Sequence, residues 1–504
     1  MKKDYLESRI VRKKAVFLLF LVLFMLRLFH INAPMVDHHS WNQVSAASMA
    51  KHLYHDWSTF FRPSVDLYPS LESTSTVYAQ EMPLYHVPIA LSYYLFGISE
   101  WPGRLVSIVY GMIGLWYWFL LSRRLFGDKL AILSVLLAGL SPLNWYYHQS
   151  IMTDNSMVTA MIIGFYYFYL WLEENKTEKY FWYSLLWTAL GGLFKAYALV
   201  IGVGYFLLIL FRKEYSLLKS PKLYFFGILA WLPSILWIYH VQGLGEGRSE
   251  FSNVNSILHP ELLWSWKFYQ RIFFARLIDQ LLTPWIAIFC MIGIHQCRIS
   301  EKKFHPLLAW LGTCLIYLII VQRGNYVHDY YQLIFVPGLT LFAAIGILRF
   351  WNWNFLGLFY RKLCLLSISF LFLLQSSIYT YNHTRSDIGS YQTGKKISEL
   401  SQTINEKALA FDIGANKRNQ LIYYSNLKGW FTPDLNMEKL EQYRSHGASW
   451  LGVNLLQESH FRNYQNFLQQ VEKKYQKVWE NRASVDRYGR SVISQVYDLR
   501  GTRF

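Results

Sequence analysis

Residues 83–98, PLYHVPIALSYYLFGI, decide how the chain is laid out. The stretch is apolar and close to the ~17 residues with which a helix crosses a hydrocarbon core of about 30 Å. Pro83 and Pro88 interrupt regular backbone hydrogen bonding. Counted as a span, it would carry Arg123 and Arg124, and every later basic loop, to the opposite side of a membrane. Left out of the count, the basic clusters all fall on one side: Lys2/Lys3/Arg9/Arg12/Lys13/Lys14, Arg123/Arg124/Lys129, Arg212/Lys213/Lys219/Lys222, Arg298/Lys302/Lys303 and Arg361/Lys362. Residues 83–98 are therefore expected to form a helix lying on, or dipping into, the outer face. A true span with compensation elsewhere is the other reading.

The composition demands a membrane. In 504 residues, 53% are hydrophobic and 16% charged, too apolar for a string of soluble domains and too long for one crossing. Aromatic residues at 18%, with 20 Trp and 37 Tyr, suit interfacial belts. The net charge of +17 would fit nucleic acid if it formed a patch on a soluble domain, but it sits in short loops between apolar runs. Cys290, Cys297, Cys314 and Cys364 have no CxxC spacing, so neither a zinc site nor a disulfide framework is expected.

Working outward, apolar stretches of span length fall at 15–31, 104–121, 129–146, 155–172, 180–194, 196–211, 222–240, 279–296, 304–321, 330–349 and 362–380. No small-residue cleavage site follows the first, which reads as an uncleaved span. The expected fold is a polytopic α-helical membrane protein of about 11 spans, N-terminus inside and C-terminus outside. Residues 1–381 form the membrane domain, and its first outer loop, 32–103, carries interfacial helices. Residues 382–504 turn polar and alternate strand-like runs (ALAFDI, SWLGVN, SVISQVYDL) with helical ones (MEKLEQYRSHG, FRNYQNFLQQVEKKY), which predicts a small α/β domain outside the membrane. It lacks GxGxxG and Walker A loops.

With that topology the uncommon polar residues gather at outer span ends: Asp37, His38, His39, Glu81, His86, Arg104, His148, Asp154, Lys195, Asp279, Arg323, His328 and Asp329. Ionisable groups at membrane depth are costly and usually functional. In VDHHSWNQVSAASMAKHLY (36–54), Asp37 can act as a general base, cap the helix that follows, or join His38 and His39 as metal ligands. Glu81 stands at the edge of the proline-bent segment as either a solvated charge or a site. Asp154 in SPLNWYYHQSIMTDNSM is a site residue or a helix N-cap. Lys195 in GGLFKAYAL either snorkels or neutralises an anion such as a lipid phosphate. RGNYVHDYYQLIFVPG offers His328, Asp329, Tyr330 and Tyr331 to a sugar or charged headgroup, where an aromatic anchor would need only the tyrosines.

At these residues the chain resembles the C-type glycosyltransferase superfamily, in the branch of protein O-mannosyltransferases and the lipid A aminoarabinose transferase. The likeness spans roughly residues 10–380. It is carried by Asp37 with His39, Trp41 and Gln43, by MPLYH and the following FGISEWPGRLVS, by Asp154, by the Lys195 string and by HDYY. The resemblance implies a bacterial plasma-membrane enzyme with an outward-facing site. It would move a sugar from a polyprenyl-phosphate donor to an acceptor with inversion, with no nucleotide sugar. Asp37 takes the role of base, and Lys195 and Arg104 that of phosphate ligands. Glu81, His86, Asp154, His328, Asp329 and Tyr331 complete donor and substrate binding. Where the protein mannosyltransferases carry a second acid, this chain has His38, which weakens the case for a protein acceptor and leaves a divalent metal open. The acceptor is a glycolipid, a cell-envelope glycan or a protein; membrane lipids are the other partners, and nucleic acid is not.

A transporter or flippase of lipid-linked glycans also needs a polar cavity between spans, but it predicts broken helices and repeat symmetry that the sequence does not show. A scaffold without catalysis explains the spans and not the one-sided polar residues.

Overall fold

The computed structural model describes residues 2–174, 176–244, 258–385, 388–403, 405–413, 419–456, 460–486 and 488–501. In chain order the first helices are α1 (Lys2–Arg27), α2 (Ser40–His55), α3 (His86–Phe96), α4 (Glu100–Phe126), α5 (Asp128–Leu140), α6 (Pro142–Tyr147), α7 (Thr153–Glu173), α8 (Glu178–Phe194), α9 (Ile201–Phe211) and α10 (Pro221–Gly243). Then come α11 (Trp266–Tyr269), α12 (Thr283–His295), α13 (His305–Ile320), α14 (Gln322–Val327), α15 (Val336–Trp351), α16 (Leu358–Thr384) and α17 (Ile388–Leu400). The tail follows as β1 (Lys407–Ile413), α18 (Gln420–Ser425), β2 (Lys428–Thr432), α19 (Met437–Ser445), β3 (Ala448–Leu456), α20 (His460–Lys474), β4 (Gln476–Val485) and β5 (Ser491–Asp498). The chain divides into two compact units. One holds residues 1–31, 80–85 and 104–382; the other holds 32–79, 86–103 and 383–504. The outer loop expected to belong to the membrane domain thus falls largely in the same unit as the tail.

The first unit is helical and polytopic. Among the described residues, seven helical runs are long and apolar enough to cross a membrane: Glu100–Phe126, Thr153–Glu173, Pro221–Gly243, Trp266–His295, Lys302–Ile320, Tyr330–Trp351 and the run beginning at Leu358. The other four expected spans also fall on helix, for local reasons shorter or interrupted. In α1 the apolar part is confined between Lys14 and Arg27, Ser141 and Pro142 break α5 from α6, α8 has 17 residues, and 196–200 winds as a 3₁₀ turn ahead of α9. Residues 270–282, between α11 and α12, wind as a π-helix, a widened turn that recurs at functional sites.

Small residues set the packing of this unit. A methyl group on Gly293 of α12 would stand 1.8 Å from the Phe342 carbonyl oxygen, and one on Gly346 of α15 would stand 1.9 Å from that of Phe289. The two backbones therefore touch, the close approach that small residues permit in membrane helices. Helices α7 and α15 are the most enclosed of the long runs, and the interior of the unit is aromatic, with Trp118 of α4, Trp171 of α7 and Trp310 of α13 fully buried.

The second unit is α/β. Its sheet runs β2-β1-β3-β5-β4, parallel at β2-β1-β3 and antiparallel at β3-β5-β4. Strand alternation divides the core as a period of two requires. Leu409, Phe411, Leu451 and Val453 face Leu440, Leu468 and Val471 of α19 and α20. Ala408, Ala410 and Trp450 face Ile397 of α17 and Leu421 and Ile422 of α18. The edge strand β2 is covered by the first outer loop: Gly429 N–H donates to Asp66 O at 3.0 Å and Tyr68 N–H to Gly429 O at 2.8 Å, which blunts an exposed sheet edge.

The stretch 83–98 resolves into α3, 11 residues long. At 1.5 Å per residue it covers about half the thickness of a hydrocarbon core. Helix α2, expected to be amphipathic and interfacial, is buried along most of its length. Within its unit it is held by α18 and the residue before it: Asn419 Nδ2 donates to Trp41 O at 3.1 Å and Ser45 Oγ at 2.8 Å, and Gln420 Nε2 to Ser40 Oγ at 2.7 Å.

Candidate active site

The first outer loop begins with the Asp37 string, in the second unit. His39 adopts the left-handed conformation, φ 52°, and starts α2 without any side-chain cap. Asp37 stands two residues ahead of that N-cap position. Its Oδ1 accepts the side-chain amide of Gln43 at 2.6 Å, and that amide also reaches His38 O at 3.2 Å. Gln43 is fully buried and Asp37 nearly so, so the charge-assisted bond is formed out of bulk water, where it is strongest. His38 donates its backbone N–H to His383 O at 3.1 Å, and the two imidazoles meet with centroids 4.5 Å apart. His39 stacks on His38 from the other side at 4.1 Å. The ring nitrogens of His38 and His383 lie within 4.8 Å of each other, a pair whose chemistry is capable of ligating a divalent cation. His86, the first residue of α3, is completely buried.

The first unit gathers the second group. Lys195 closes α8 in extended backbone, φ −153°, at the seam between α8 and the 3₁₀ turn that follows. Its Nζ lies 3.1 Å from Asp154 Oδ2 and 3.3 Å from Glu81 Oε1, with both Lys195 and Asp154 buried. The ammonium also sits over the rings of Tyr330 and Tyr331, 5.3 and 5.8 Å from their centroids. His328 stacks on Tyr330 at 5.1 Å with a 15° interplanar angle. Asp154 lies in the first turn of α7, whose N-cap is Met152 with no side-chain cap, so the capping reading of Asp154 is corrected. Lys195 does not snorkel.

A hydrogen-bond chain ties this group to α4, which also carries the buried Arg104. Tyr85 OH shares a 2.6 Å hydrogen bond with Ser107 Oγ, and Asn155 Nδ2, beside Asp154, donates to Ser107 O at 3.1 Å. Asp329 is held differently. It accepts from Tyr147 OH, and from Tyr379 OH at 3.4 Å, while Arg276 Nη1 stands 3.9 Å away. The π-helix supplies Arg276, which also donates to Val327 O at 3.2 Å. Asp329 thus fastens α6, the π-helix and α16 to the HDYY string.

Of the sequence candidates in the first unit, Glu81, Asp154, Lys195, His328 and Tyr331 come together and Asp329 stands next to Tyr330 in the chain. Arg323 bonds His259 at 3.2 Å and Asp279 accepts from Gln375 at 2.8 Å, each outside that group.

The comparisons with known proteins match this architecture. Residues 80–240 match the family model of dolichyl-phosphate-mannose-protein mannosyltransferases. That segment contains Glu81, Asp154 and Lys195. ArnT from Cupriavidus metallidurans, in its structure bound to undecaprenyl phosphate, aligns over 95% of this chain and 97% of its own at a TM-score of 0.62 and 12% identity. The chain shares the fold of that structure, and over residues 80–240 it resembles the mannosyltransferase family. Apo ArnT from the same organism gives 0.63 at 13% identity over 97% and 98%. The oligosaccharyltransferase AglB from Archaeoglobus fulgidus, in complex with an inhibitory peptide and a dolichol-phosphate, gives 0.56 at 11% identity over 92% of this chain and 72% of its own. No curated protein matches in sequence.

Several buried polar groups lie outside the sequence candidates. Arg27 is one, fully buried near the end of α1. It donates to Leu23 O and Gly139 O, both at 2.8 Å, and to His148 Nδ1 at 3.1 Å. An arginine inside an apolar span was itself the signal. Arg276 was missed because the span was drawn from 279, whereas the helical run begins at Trp266. Tyr147 and Tyr379 gave no signal, since interfacial tyrosines are common along the whole chain.

Proposed function

We propose that the chain transfers a sugar from a polyprenyl-phosphate donor to an acceptor hydroxyl or amine on the outer face of a bacterial plasma membrane, with inversion at the anomeric carbon. Asp37 takes the acceptor proton. The freed oxygen or nitrogen bonds to the anomeric carbon as the bond from that carbon to the phosphate oxygen breaks, and polyprenyl phosphate leaves with the electron pair. The observation that carries this reading is the nearly buried Asp37 carboxylate. One oxygen is fixed by the Gln43 amide, which orients the other for proton abstraction, the geometric requirement for general-base catalysis.

Donor and substrate binding are assigned to Arg104, Lys195, Glu81, His86, Asp154, His328, Asp329 and Tyr331, with the phosphate going to a cation of that set. The His38 and His383 imidazoles would hold a divalent cation if one is used, where it would supply Lewis-acid polarisation. With eleven spans and the tail outside, acceptor selection is assigned to the α/β unit. Purified protein, given a polyprenyl-phosphate sugar of known anomeric configuration and a bacterial membrane extract, should yield a product of opposite configuration. Retention would contradict direct displacement, and absence of transfer from any such donor would contradict the reading as a whole.

A further inference from the structure

Among the described side chains, the arginines of the basic loops are engaged, with two exceptions. Arg123 meets Asp128 at 3.0 Å and Arg124 meets Glu174 at 2.7 Å, Arg212 pairs with Glu173, and Arg361 donates to Trp351 O. Arg298 and Arg349 are exposed, and their guanidinium groups make no hydrogen bond or ion pair with any other residue of the chain. Both line one cavity of about 320 Å³ in the first unit, within the range of small-ligand sites. Lys303 and Glu301 also line it and pair with each other at 2.7 Å. The described lining therefore carries three cations and one acid.

Cations at a helix end often answer the helix dipole. Here the dipoles offset one another. Helices α12 and α15 bring C-terminal ends, with C-caps Gln296 and Asn352, while α5 and α13 bring N-terminal ends at Leu130 and Phe304. The walls are also fixed in place. Gly293 and Gly346, at which the α12 and α15 backbones touch, stand three residues before Gln296 and Arg349, so little ordering is left for a ligand to impose.

The surroundings select the ligand. Leu130, Ile345 and Leu348 give the cavity an apolar side. Ile299, Trp351 and Trp353, beside the two arginines in sequence, are exposed, and tryptophans at span ends mark headgroup depth. A guanidinium is a planar fork matched to phosphate oxygens.

We infer that this cavity binds the phosphodiester headgroup of an anionic phospholipid, with Arg298 and Arg349 on the phosphate oxygens and Leu130, Ile345 and Leu348 against the start of an acyl chain. Basic pockets between membrane helices suit such headgroups. The inference goes beyond the transferase reading and does not depend on it. The bound lipid would grip the far ends of two runs that serve the candidate site: Trp266–His295, which carries Arg276, and Tyr330–Trp351.

The test titrates lipid into the purified full chain in non-ionic detergent and reads the first bound lipid by native mass spectrometry. The probes are phosphatidylglycerol, phosphatidylcholine with the same chains, and inorganic phosphate. Phosphatidylglycerol is expected to bind more tightly than phosphatidylcholine. Arg298→Gln and Arg349→Gln should each weaken it about fivefold and together more than tenfold, the scale of a basic group at an anionic lipid surface. Arg298→Lys with Arg349→Lys should recover only part of the loss, because the charge returns without the fork. Lys213→Gln with Lys219→Gln removes two exposed cations from another basic loop and should leave binding within about twofold. An equal loss in that lysine pair would reduce the effect to diffuse surface charge and overturn the inference. Phosphatidylcholine binding of the same strength and arginine dependence would overturn it too. Displacement of the lipid by inorganic phosphate at matching concentration would overturn the choice of a lipid over a free phosphate.

Discussion

Gln43 donates its side-chain amide to Oδ1 of Asp37 at 2.6 Å, across a single turn that His39 makes in left-handed backbone. The bond fixes the carboxylate plane, so its loss should be felt in the reaction more than in binding. Gln43→Leu is expected to lower kcat about tenfold, matching a charge-assisted hydrogen bond, with KM for the donor little changed. Gln43→Glu should cost more, since it sets a second carboxylate against the first. A variant that changes only KM would show that Gln43 does not orient the base.

Lys195 pairs with the buried Asp154 and the partly buried Glu81, and removing it takes an ammonium away from both. Breaking a buried pair this way costs about 3–5 kcal/mol. Lys195→Met should therefore lower the unfolding midpoint in detergent by more than Asp154→Asn does, and adding Glu81→Gln and Asp154→Asn to it should restore part of the loss. Equal destabilisation by Lys195→Met and Asp154→Asn would mean that the lysine carries little of the charge balance.

These two groups show what was legible in the sequence and what was not. The helical class followed from apolar run length, and the tail's α/β character from its change to alternating patterns; both depend on composition over many residues. Glu81, Asp154 and Lys195 were visible singly, because charges among apolar residues are conspicuous. Their mutual pairing was not, since it joins the segment before α3 to the start of α7 and the end of α8. Gln43 was quoted only as part of a motif; its task depends on the left-handed turn at His39, which no side-chain pattern announces. The grouping of the first outer loop with the tail was hidden for a similar reason: it is made through backbone bonds such as Gly429 to Asp66.

Asp66 provides a pH-dependent element in that same loop. Burial raises its pKa, but the Lys51 ammonium at 2.6 Å and the His52 ring at 2.9 Å outweigh burial and hold it at about 2, below its ordinary 3.8. A carboxylate with a depressed folded pKa contributes stability that is complete above 3.8 and is lost as pH falls toward about 2. The depression corresponds to about 2 kcal/mol at neutral pH. Asp66→Asn should lower the midpoint of the α/β unit at neutral pH and flatten its dependence in that acid window. An unchanged acid profile in the variant would assign the dependence to other groups.

The proposed orientation rests on the basic loops and can be checked directly. Alkaline phosphatase fused after Phe504 should be active, and fused after Lys219 inactive, because the enzyme matures only outside the cytoplasm. The reverse pattern would overturn the eleven-span arrangement and the outward-facing site with it.

The most direct test of the account is label transfer by Asp37→Asn. The substitution keeps the shape and the contact with Gln43 while removing the basic charge. With a radiolabelled polyprenyl-phosphate sugar and a membrane extract, the variant should retain its elution profile and donor binding but transfer label at least ~100-fold more slowly than wild type, as expected for loss of a general base. Transfer by Asp37→Asn at the wild-type rate would contradict the central claim.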